Sequence, residues 1–171
     1  MEKVKIRPAA RDDLPRLTEI YNYYVINTPI TFDLEPVTVE ARTRWFDEHA
    51  GTKRHRLFVA EDAGRLVGWA GTGPFRDRAA YDTSVEMSVY CAHDSTGIGI
   101  GAMLYRALFD ALKKEDINRL LAGITLPNEA SIAIHRKFGF TDVGIFTECG
   151  RKFGKFWDVV WMERPLRLAG E

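Results

Sequence analysis

The stretch VEMSVYCAHDSTGIGIGAMLY, residues 85–105, is the part of the sequence that decides the fold. It opens with the alternating side chains of a half-buried strand, which places Val85, Met87 and Val89 on one face. The opposite face then carries Glu86, Ser88 and Tyr90. Glu86 is predicted to face a cleft and accept a proton there; the alternative is a solvent-facing glutamate on a half-exposed strand.

The second half of this stretch is rich in glycine and runs into a helical pattern. Glycines recur at positions 97, 99 and 101, directly before the helix. They leave backbone N–H groups uncovered at the positive end of the helix dipole, where phosphate oxygens bind. The sequence lacks the Gly-Lys-Ser/Thr of a nucleotide-binding P-loop. A dinucleotide-binding fingerprint has its glycines directly after the strand, whereas here the segment Cys91–Thr96 intervenes. The loop predicts either a pyrophosphate cradle or a turn that lets strand and helix pack closely.

Composition limits the classes of protein that fit. The 171 residues suit a single domain, residues 1–171, and 24 basic side chains balance 24 acidic ones, which argues against broad nucleic-acid or membrane binding. The 2 cysteines lack metal-type spacing, and His49, His55 and His93 show no ligand spacing, so no metal is predicted. A charged first segment, unlike a signal peptide, and the few cysteines predict a cytoplasmic protein.

Hydrophobic periodicity predicts an α+β or mixed α/β fold. Asp12 or Asp13 is expected to cap the first helix, and Thr38 to open a second that ends near Gly51. Further helices are predicted over Ala102–Lys113 and Asn128–Phe138. The predicted strands are Lys3–Ile6, Leu57–Glu61, Leu66–Thr72, Asp82–Cys91, Leu120–Thr125, Thr141–Glu148 and Phe156–Glu163.

A second motif opens the later helix. Asn128, Ser131 and His135 stand at helical spacing and share one face. Asn128 is predicted to cap the helix and to remain available to a ligand at that end.

These two motifs resemble those of the GNAT superfamily of acetyl-CoA-dependent N-acetyltransferases. Gly99 and Gly101 match its glycine loop, and Asn128, Ser131 and Gly139-Phe140 match the following helix. The resemblance runs from about Val4 to Arg164 and implies a central, mixed, mostly antiparallel sheet of about seven strands flanked by about four helices. Two positions depart from the family pattern: Thr96 replaces the usual Gln or Arg, and His135 replaces a common Tyr.

Within the superfamily, the chain is similar to the phosphinothricin and methionine sulfoximine acetyltransferase branch, which also carries His at position 135. The segments that carry this similarity are Thr31-Phe32, Ala80-Tyr81-Asp82, Ser88-Val89-Tyr90, Leu126-Pro127-Asn128, Gly150, Lys152, Gly154 and Asp158.

The resemblance implies an acetyl-CoA site and a catalytic set. The implied CoA-binding residues are Ser88, Val89, Tyr90, Thr96, Gly97, Ile98, Gly99, Ile100, Gly101, Ala102, Asn128 and Ser131. Glu86 is expected to take a proton from the attacking amine, directly or through water. His135 or Tyr90 would protonate the leaving thiolate; alternatively, His135 is a partly buried helix histidine bonded to backbone.

The acceptor is expected to be a small amino acid of the phosphinothricin or methionine sulfoximine type. Arg76 and Arg78 would clamp its acidic oxygens, unless they form a solvated basic loop. Phe32, Phe75, Tyr81, Glu86 and Lys152 complete the predicted pocket. Alternatives are an acetyltransferase for another L-amino acid, a polyamine, an aminoglycoside or a protein N-terminus, and a non-catalytic CoA-binding module. The apolar segment Phe156–Trp161 predicts a homodimer interface, as is common in this branch.

Overall fold

A seven-stranded sheet forms the centre of the computed structural model, which describes residues 4–50, 53–95 and 97–167. The strands are β1 (Lys5–Pro8), β2 (Leu57–Asp62), β3 (Arg65–Pro74), β4 (Ser84–Cys91), β5 (Arg119–Thr125), β6 (Thr141–Lys152) and β7 (Lys155–Pro165). Their order is β1-β2-β3-β4-β5-β7-β6. Only the β4–β5 pair is parallel among the pairs described, so the predicted mixed, mostly antiparallel sheet is confirmed.

Four α-helices cover the two faces of this sheet. They are α1 (Leu14–Asn27), α2 (Val39–Ala50), α3 (Ile100–Leu112) and α4 (Glu129–Lys137). The predicted helices and strands are all present, with ends shifted by a few residues. The expected strand start at Lys3 and helix end at Gly51 lie outside the described residues. Within the described part of the chain, no helix has the length and apolar character needed to cross a membrane.

The helix caps follow sequence chemistry in one case and not in the other. Thr38 caps α2 as expected, since its hydroxyl accepts the Ala41 N–H at 3.1 Å. The expected cap of α1 is wrong, because Asp13 forms no side-chain cap there. Its carboxylate instead pairs with Arg7 at 2.7 Å and accepts the Ala10 N–H. The ion pair ties the start of α1 to β1.

The sheet buries a core on each face. On one face, α3 and α4 pack over Val85, Met87 and Leu120. On the other, α1 covers Val59 and Trp69. Val85 and Met87 are 0% and 3% exposed, whereas Glu86 between them lies on the opposite face and is half-buried. The predicted alternation along β4 is therefore confirmed.

The parallel strands β4 and β5 separate soon after they meet. Their ladder joins Ser84–Glu86 to Arg119–Leu121, although β4 continues to Cys91 and β5 to Thr125. Beyond the ladder, β5 stays paired with β7 up to Thr125 and β4 stays paired with β3 up to Cys91. A gap therefore opens within the sheet, and Glu86 is the last residue of β4 before it.

Candidate active site

The gap between β4 and β5 holds a cavity of about 490 Å³. Its walls come from the separated strand ends and from the first turns of α3 and α4. The lining includes the predicted residues Ser88, Val89, Tyr90, Gly97, Gly99, Ile100, Gly101, Ala102, Asn128, Ser131 and His135. In an antiparallel strand such as β4, alternate N–H and C=O groups point away from the paired neighbour, here toward the cavity. Ile98 is 61% exposed, and Thr96 lies outside the described residues.

The three glycines at the start of α3 differ in backbone conformation and in their surroundings. Gly97 and Gly99 have φ angles of +80° and +84°, and a Cβ at either would meet nothing within 4 Å. Their conformation therefore requires glycine, while the space beside them stays open for a ligand. A Cβ on Gly101 would lie 3.0 Å from Ile134 Cδ1, so this glycine lets α3 and α4 approach each other. Gly101 therefore serves close packing, whereas Gly97 and Gly99 leave room for a ligand.

The start of α4 also faces the cavity. The side-chain oxygen of Asn128 accepts the Ser131 N–H at 3.2 Å, so the predicted cap is confirmed. Two helix N-termini, each with N–H groups that have no partner within the helix, therefore border the same space. Such an arrangement suits an anionic and elongated ligand.

His135 is buried behind this wall, with 3% of its surface exposed. Its Nδ1 lies 2.7 Å from the Ser131 carbonyl oxygen and must donate to it. Nε2 then accepts from the Tyr105 hydroxyl, at 2.9 Å. Burial lowers the pKa of the His135 imidazole, which favours this neutral, doubly bonded form. This is the backbone-bonded arrangement given as the alternative to a catalytic acid.

Tyr105 was missed by the sequence reasoning. It is fully buried on the apolar face of α3, yet it also lines the cavity. In the sequence it looks like another core residue of a helix, so no signal distinguishes it.

Tyr90 lies in a cluster of aromatic rings at the other side of the cavity. Its ring centroid is 4.8 Å from that of Trp69, 5.1 Å from Tyr21 and 5.3 Å from Tyr24. Burial raises the pKa of the Tyr90 phenol, so its hydroxyl stays protonated. Tyr90 therefore keeps a protonated hydroxyl and is among the residues that line the cavity.

Glu86 has the electrostatics of a proton acceptor. Burial raises the pKa of its carboxyl above the ordinary value of 4.5, and the positive charge of Arg76 opposes that shift. A raised pKa brings a carboxylate closer to the pH at which it exchanges protons with an amine.

Several predicted acceptor residues meet around Phe75, and one of them, Arg76, is close enough to Glu86 to act on its pKa. The Phe75 ring contacts Tyr81 at 5.8 Å and Trp161 at 5.7 Å, and the Arg76 guanidinium lies 4.3 Å above it. Trp161 is an addition, because sequence patterning favours a core or interface role for it. Gly123 makes room for it, since a Cβ there would lie 3.1 Å from the indole ring. Arg78 is exposed, and its carbonyl accepts the Tyr81 N–H.

Phe32 and Lys152 form a second group on the same face of the sheet. The Phe32 ring lies against Gly150 of β6, which pairs with Trp157 of β7. Trp157 and Trp161 share a face of β7 by period-two alternation. Lys152 is 3% exposed and donates to the Thr31 carbonyl at 2.8 Å, so its ammonium is occupied by the loop that carries Phe32.

Comparison with known proteins identifies the family to which this fold belongs. A profile for the acetyltransferase (GNAT) domain matches residues 6–161. The chain is 51% identical to phosphinothricin N-acetyltransferase of Streptomyces coelicolor, over 96% of this chain and 97% of the relative. The chain belongs to the GNAT acetyltransferase family.

Further similarities agree with the family and its branch. An L-methionine sulfoximine/L-methionine sulfone acetyltransferase of Pseudomonas paraeruginosa is 35% identical over 94% of each chain. A phosphinothricin acetyltransferase structure from Sinorhizobium meliloti, in complex with acetyl-CoA, superposes with a TM-score of 0.89 at 32% identity, covering 95% of this chain and 88% of that one. The GNAT chain described here is thus an N-acetyltransferase, and its open glycine loop and paired helix N-termini fit an acetyl-CoA donor.

Among the side chains that the structure describes, no group of three His, Cys, Asp or Glu residues is placed to hold a metal ion.

Proposed function

We propose that this GNAT enzyme transfers acetyl from acetyl-CoA to the free amine of a small amino-acid-like acceptor, of the phosphinothricin or methionine sulfoximine type. The observation that carries the proposal is the position of Glu86. It is half-buried at the point where β4 and β5 separate, it has a raised pKa, and it feels the charge of Arg76, whose guanidinium packs on the Phe75 ring. The names of the Streptomyces and Pseudomonas relatives support this acceptor class.

The donor is held along the cavity. The open backbone of Gly97 and Gly99 and the first turn of α3 would receive the pyrophosphate, with Thr96 and Ile98 at the rim. Ser88–Tyr90 and Asn128 border the space for the pantetheine arm, and Ser131 lies beside it. Acetyl-CoA supplies the activated acyl group, and the protein supplies its orientation.

Glu86 acts as the general base. An α-ammonium must lose a proton before its nitrogen can attack a thioester carbonyl. The Glu86 carboxylate takes that proton, directly or through one water, and its raised pKa improves the match to the amine. Backbone N–H groups of β4 beyond the ladder would stabilise the developing oxyanion.

The leaving thiolate needs a proton, and Tyr90 is the better placed donor. Its hydroxyl stays protonated because burial raises the pKa, and Tyr90 is among the residues that line the cavity. His135, the second candidate, already uses both ring nitrogens on Ser131 and Tyr105. We therefore assign Tyr90 as the donor and give His135 a role in fixing α4.

The acceptor binds on the side of Glu86 that is opposite to the acetyl-CoA cavity. Arg76 is exposed and close enough to Glu86 to lower its pKa, so it can bind the acceptor carboxylate beside the base. Arg78 would bind a second acidic oxygen such as a phosphinate. Phe32, Phe75 and Tyr81 provide the apolar walls.

We also propose a homodimer and a cytoplasmic location. β6 is an edge strand with three exposed apolar side chains, Val143, Ile145 and Phe146, each at least 56% exposed. A second copy would cover these side chains as well as the exposed Phe156 on β7. Cys91 and Cys149 are free thiols, which suits a reducing compartment.

A thiol-release assay tests the function. Acetyl-CoA would be offered with phosphinothricin, methionine sulfoximine, common L-amino acids, spermidine, an aminoglycoside and a short peptide. Turnover restricted to the first two, or to L-amino acids as well, supports the acceptor class. Turnover only with spermidine, the aminoglycoside or the peptide keeps the acetyltransferase and rejects the proposed acceptor. Tight CoA binding without any turnover favours the non-catalytic alternative.

A further inference from the structure

The acceptor loop, Thr31–Asp33, rests against a glycine of β6. The Phe32 ring packs directly on the backbone of Gly150, and a Cβ there would lie 2.2 Å from both Cε2 and Cζ of the ring. No real Cβ is tolerated at that distance, so any side chain at position 150 would displace the ring. Phe32 is 37% exposed, which leaves it room to swing away without disturbing the core.

Lys152 holds the same loop two residues further along β6. Its ammonium is buried and donates to the Thr31 carbonyl at 2.8 Å. Burying an ammonium is costly unless it is bonded, so this contact fixes the loop backbone against the strand. Asp33, at the end of the loop, adds a favourable negative charge, which opposes the lowering of the Lys152 pKa by burial.

Helix α1 holds the loop from the other side. The Tyr21 hydroxyl lies 2.7 Å from the Thr31 hydroxyl and donates to the Asp33 carboxylate, also at 2.7 Å. The acceptor loop is therefore bonded to two elements, α1 and β6, on either side of Phe32 in the sequence.

The hairpin that carries Gly150 and Lys152 is itself braced. β6 has a bulge between Phe146 and Gly150, where Glu148 takes a φ of +52°. The Asp158 carboxylate of β7 accepts the Glu148 N–H at 2.7 Å, and the Trp157 indole N–H donates to the Lys152 carbonyl at 2.9 Å. The bulge sets where Gly150 and Lys152 meet the loop.

We propose that Gly150 and Lys152 are positioning residues that set the acceptor site by holding Phe32 in place. They act through the loop and make no contact with the acceptor. The inference rests on the proposed function in one respect, namely that Phe32 borders the acceptor. In this proposal Gly150, Lys152 and Asp158, which lie near the C-terminal end of the chain, all help to position Phe32 at the acceptor site.

The first test compares two glycine-to-alanine variants of the same strand. Gly150→Ala pushes the Phe32 ring aside, whereas Gly144→Ala adds the same methyl where nothing lies within 4 Å. With the preferred acceptor of the wild type, Gly150→Ala should raise the acceptor KM about tenfold or more, and leave the acetyl-CoA KM within about twofold. Gly144→Ala should match the wild type in both. An equal rise of both KM values in Gly150→Ala would overturn the proposal.

A double-mutant cycle shows whether the effect passes through the ring. In a Phe32→Ala background there is no ring to displace, so Gly150→Ala should cause no further rise in acceptor KM. Additive effects of the two substitutions would mean that Gly150 acts by another route and would reject the positioning role.

Lys152→Met tests the second contact and has a readout that needs no acceptor. It removes the bond to Thr31 while keeping a long side chain, so amide hydrogen exchange over residues 28–36 should become faster than in the wild type. The acceptor KM should rise with little change in acetyl-CoA KM. Unchanged amide exchange in both Lys152→Met and Gly150→Ala would refute the positioning role, whichever acceptor the enzyme uses. Failure of the proposed acceptor class is a different result, because the wild type itself would then show no turnover of phosphinothricin or methionine sulfoximine.

Discussion

Burial of the charged Glu86 carboxylate destabilises the fold, and the same burial makes the carboxylate a better proton acceptor. Burial raises its pKa from 4.5. The amide of a glutamine has the same shape and cannot accept the proton, so Glu86→Gln isolates the chemistry from the packing.

We expect Glu86→Gln to lower kcat by about 10²-fold or more with unchanged acetyl-CoA affinity, as for the loss of a general base. The defect should be largest below neutral pH and shrink as the pH approaches the pKa of the amine, where the acceptor deprotonates without help. Steady-state pH profiles of kcat and a titration with acetyl-CoA measure this. Glu19→Gln, an exposed position on α1, is the matched control. Unchanged turnover in Glu86→Gln would remove Glu86 as the base.

The same substitution should stabilise the protein at neutral pH. Because the folded state binds the Glu86 proton more tightly than the unfolded state, the free energy of unfolding falls as pH rises from 4.5 through the raised folded pKa. Glu86→Gln lacks this penalty. Its Tm should therefore exceed that of the wild type at pH 7, and the difference should shrink in acid, where the carboxyl is protonated in both states. A lower Tm at pH 7 would contradict the buried-charge account.

Two tyrosines border the cavity, and their bonding predicts different kinetics. Tyr90→Phe keeps the ring in its aromatic cluster and removes only the proposed proton donor, so kcat should fall by about 10²-fold. Tyr105→Phe removes the bond to His135 Nε2 and should lower the Tm with a smaller effect on kcat. If Tyr105→Phe shows the larger loss in kcat, the Tyr105–His135 pair is the donor.

At the scale of elements, α3 begins with glycines whose conformation and surroundings can be tested separately. Gly99→Val should raise the acetyl-CoA Kd about tenfold or more, since the branched side chain enters open space at the cavity and strains a φ of +84°. Gly64→Val, in the β2–β3 turn, imposes the same strain at a φ of +78° with nothing within 4 Å, and Gly64 is not among the residues that line the cavity. Calorimetric titration of both variants should show weakened binding only for Gly99→Val. Equal affinities would dismiss the cradle.

Local hydrophobic periodicity predicts most of the secondary structure, because each periodic pattern lies within a single helix or strand. Alternation along β4 placed Glu86 on the correct face, and Asn128 was recognisable as a cap from its place before a helical pattern. The separation of β4 from β5 has no local signal in the sequence. It depends on β5 keeping β7 as its partner, which is a choice made by the whole sheet.

Contacts between distant residues account for what the sequence could not show. The Lys152–Thr31 bond spans 121 residues and the Tyr105–His135 bond spans 30, so neither leaves a spacing that can be recognised. Sequence reasoning therefore found Lys152 and His135 as polar residues in a motif, and the structure gives them partners. Trp161 was assigned to core or interface for the same reason, since the space it needs comes from Gly123 on another strand.

For the whole molecule, the exposed edge of the sheet at β6 is the feature that indicates a partner chain. Long, exposed and apolar edge strands are rare in monomers, because they pair with other chains without control. β6 is 12 residues long, and Val143, Ile145 and Phe146 on it are 60%, 56% and 56% exposed. A self-complementary interface of about 800 Å² per subunit would cover them.

The wild type should therefore sediment as a dimer at micromolar concentration, and Ile145→Glu with Phe146→Glu should sediment as a monomer. Thr141→Glu, on the same strand but at a polar exposed position, should remain dimeric. The Tm of the wild type should rise with protein concentration, whereas that of the double variant should not, since association stabilises only the folded chain. The acceptor loop is held by the same strand, through Gly150 and Lys152, so loss of the dimer should raise the acceptor KM more than the acetyl-CoA KM. A monomeric wild type with full activity would show that β6 needs no second copy to support the acceptor site.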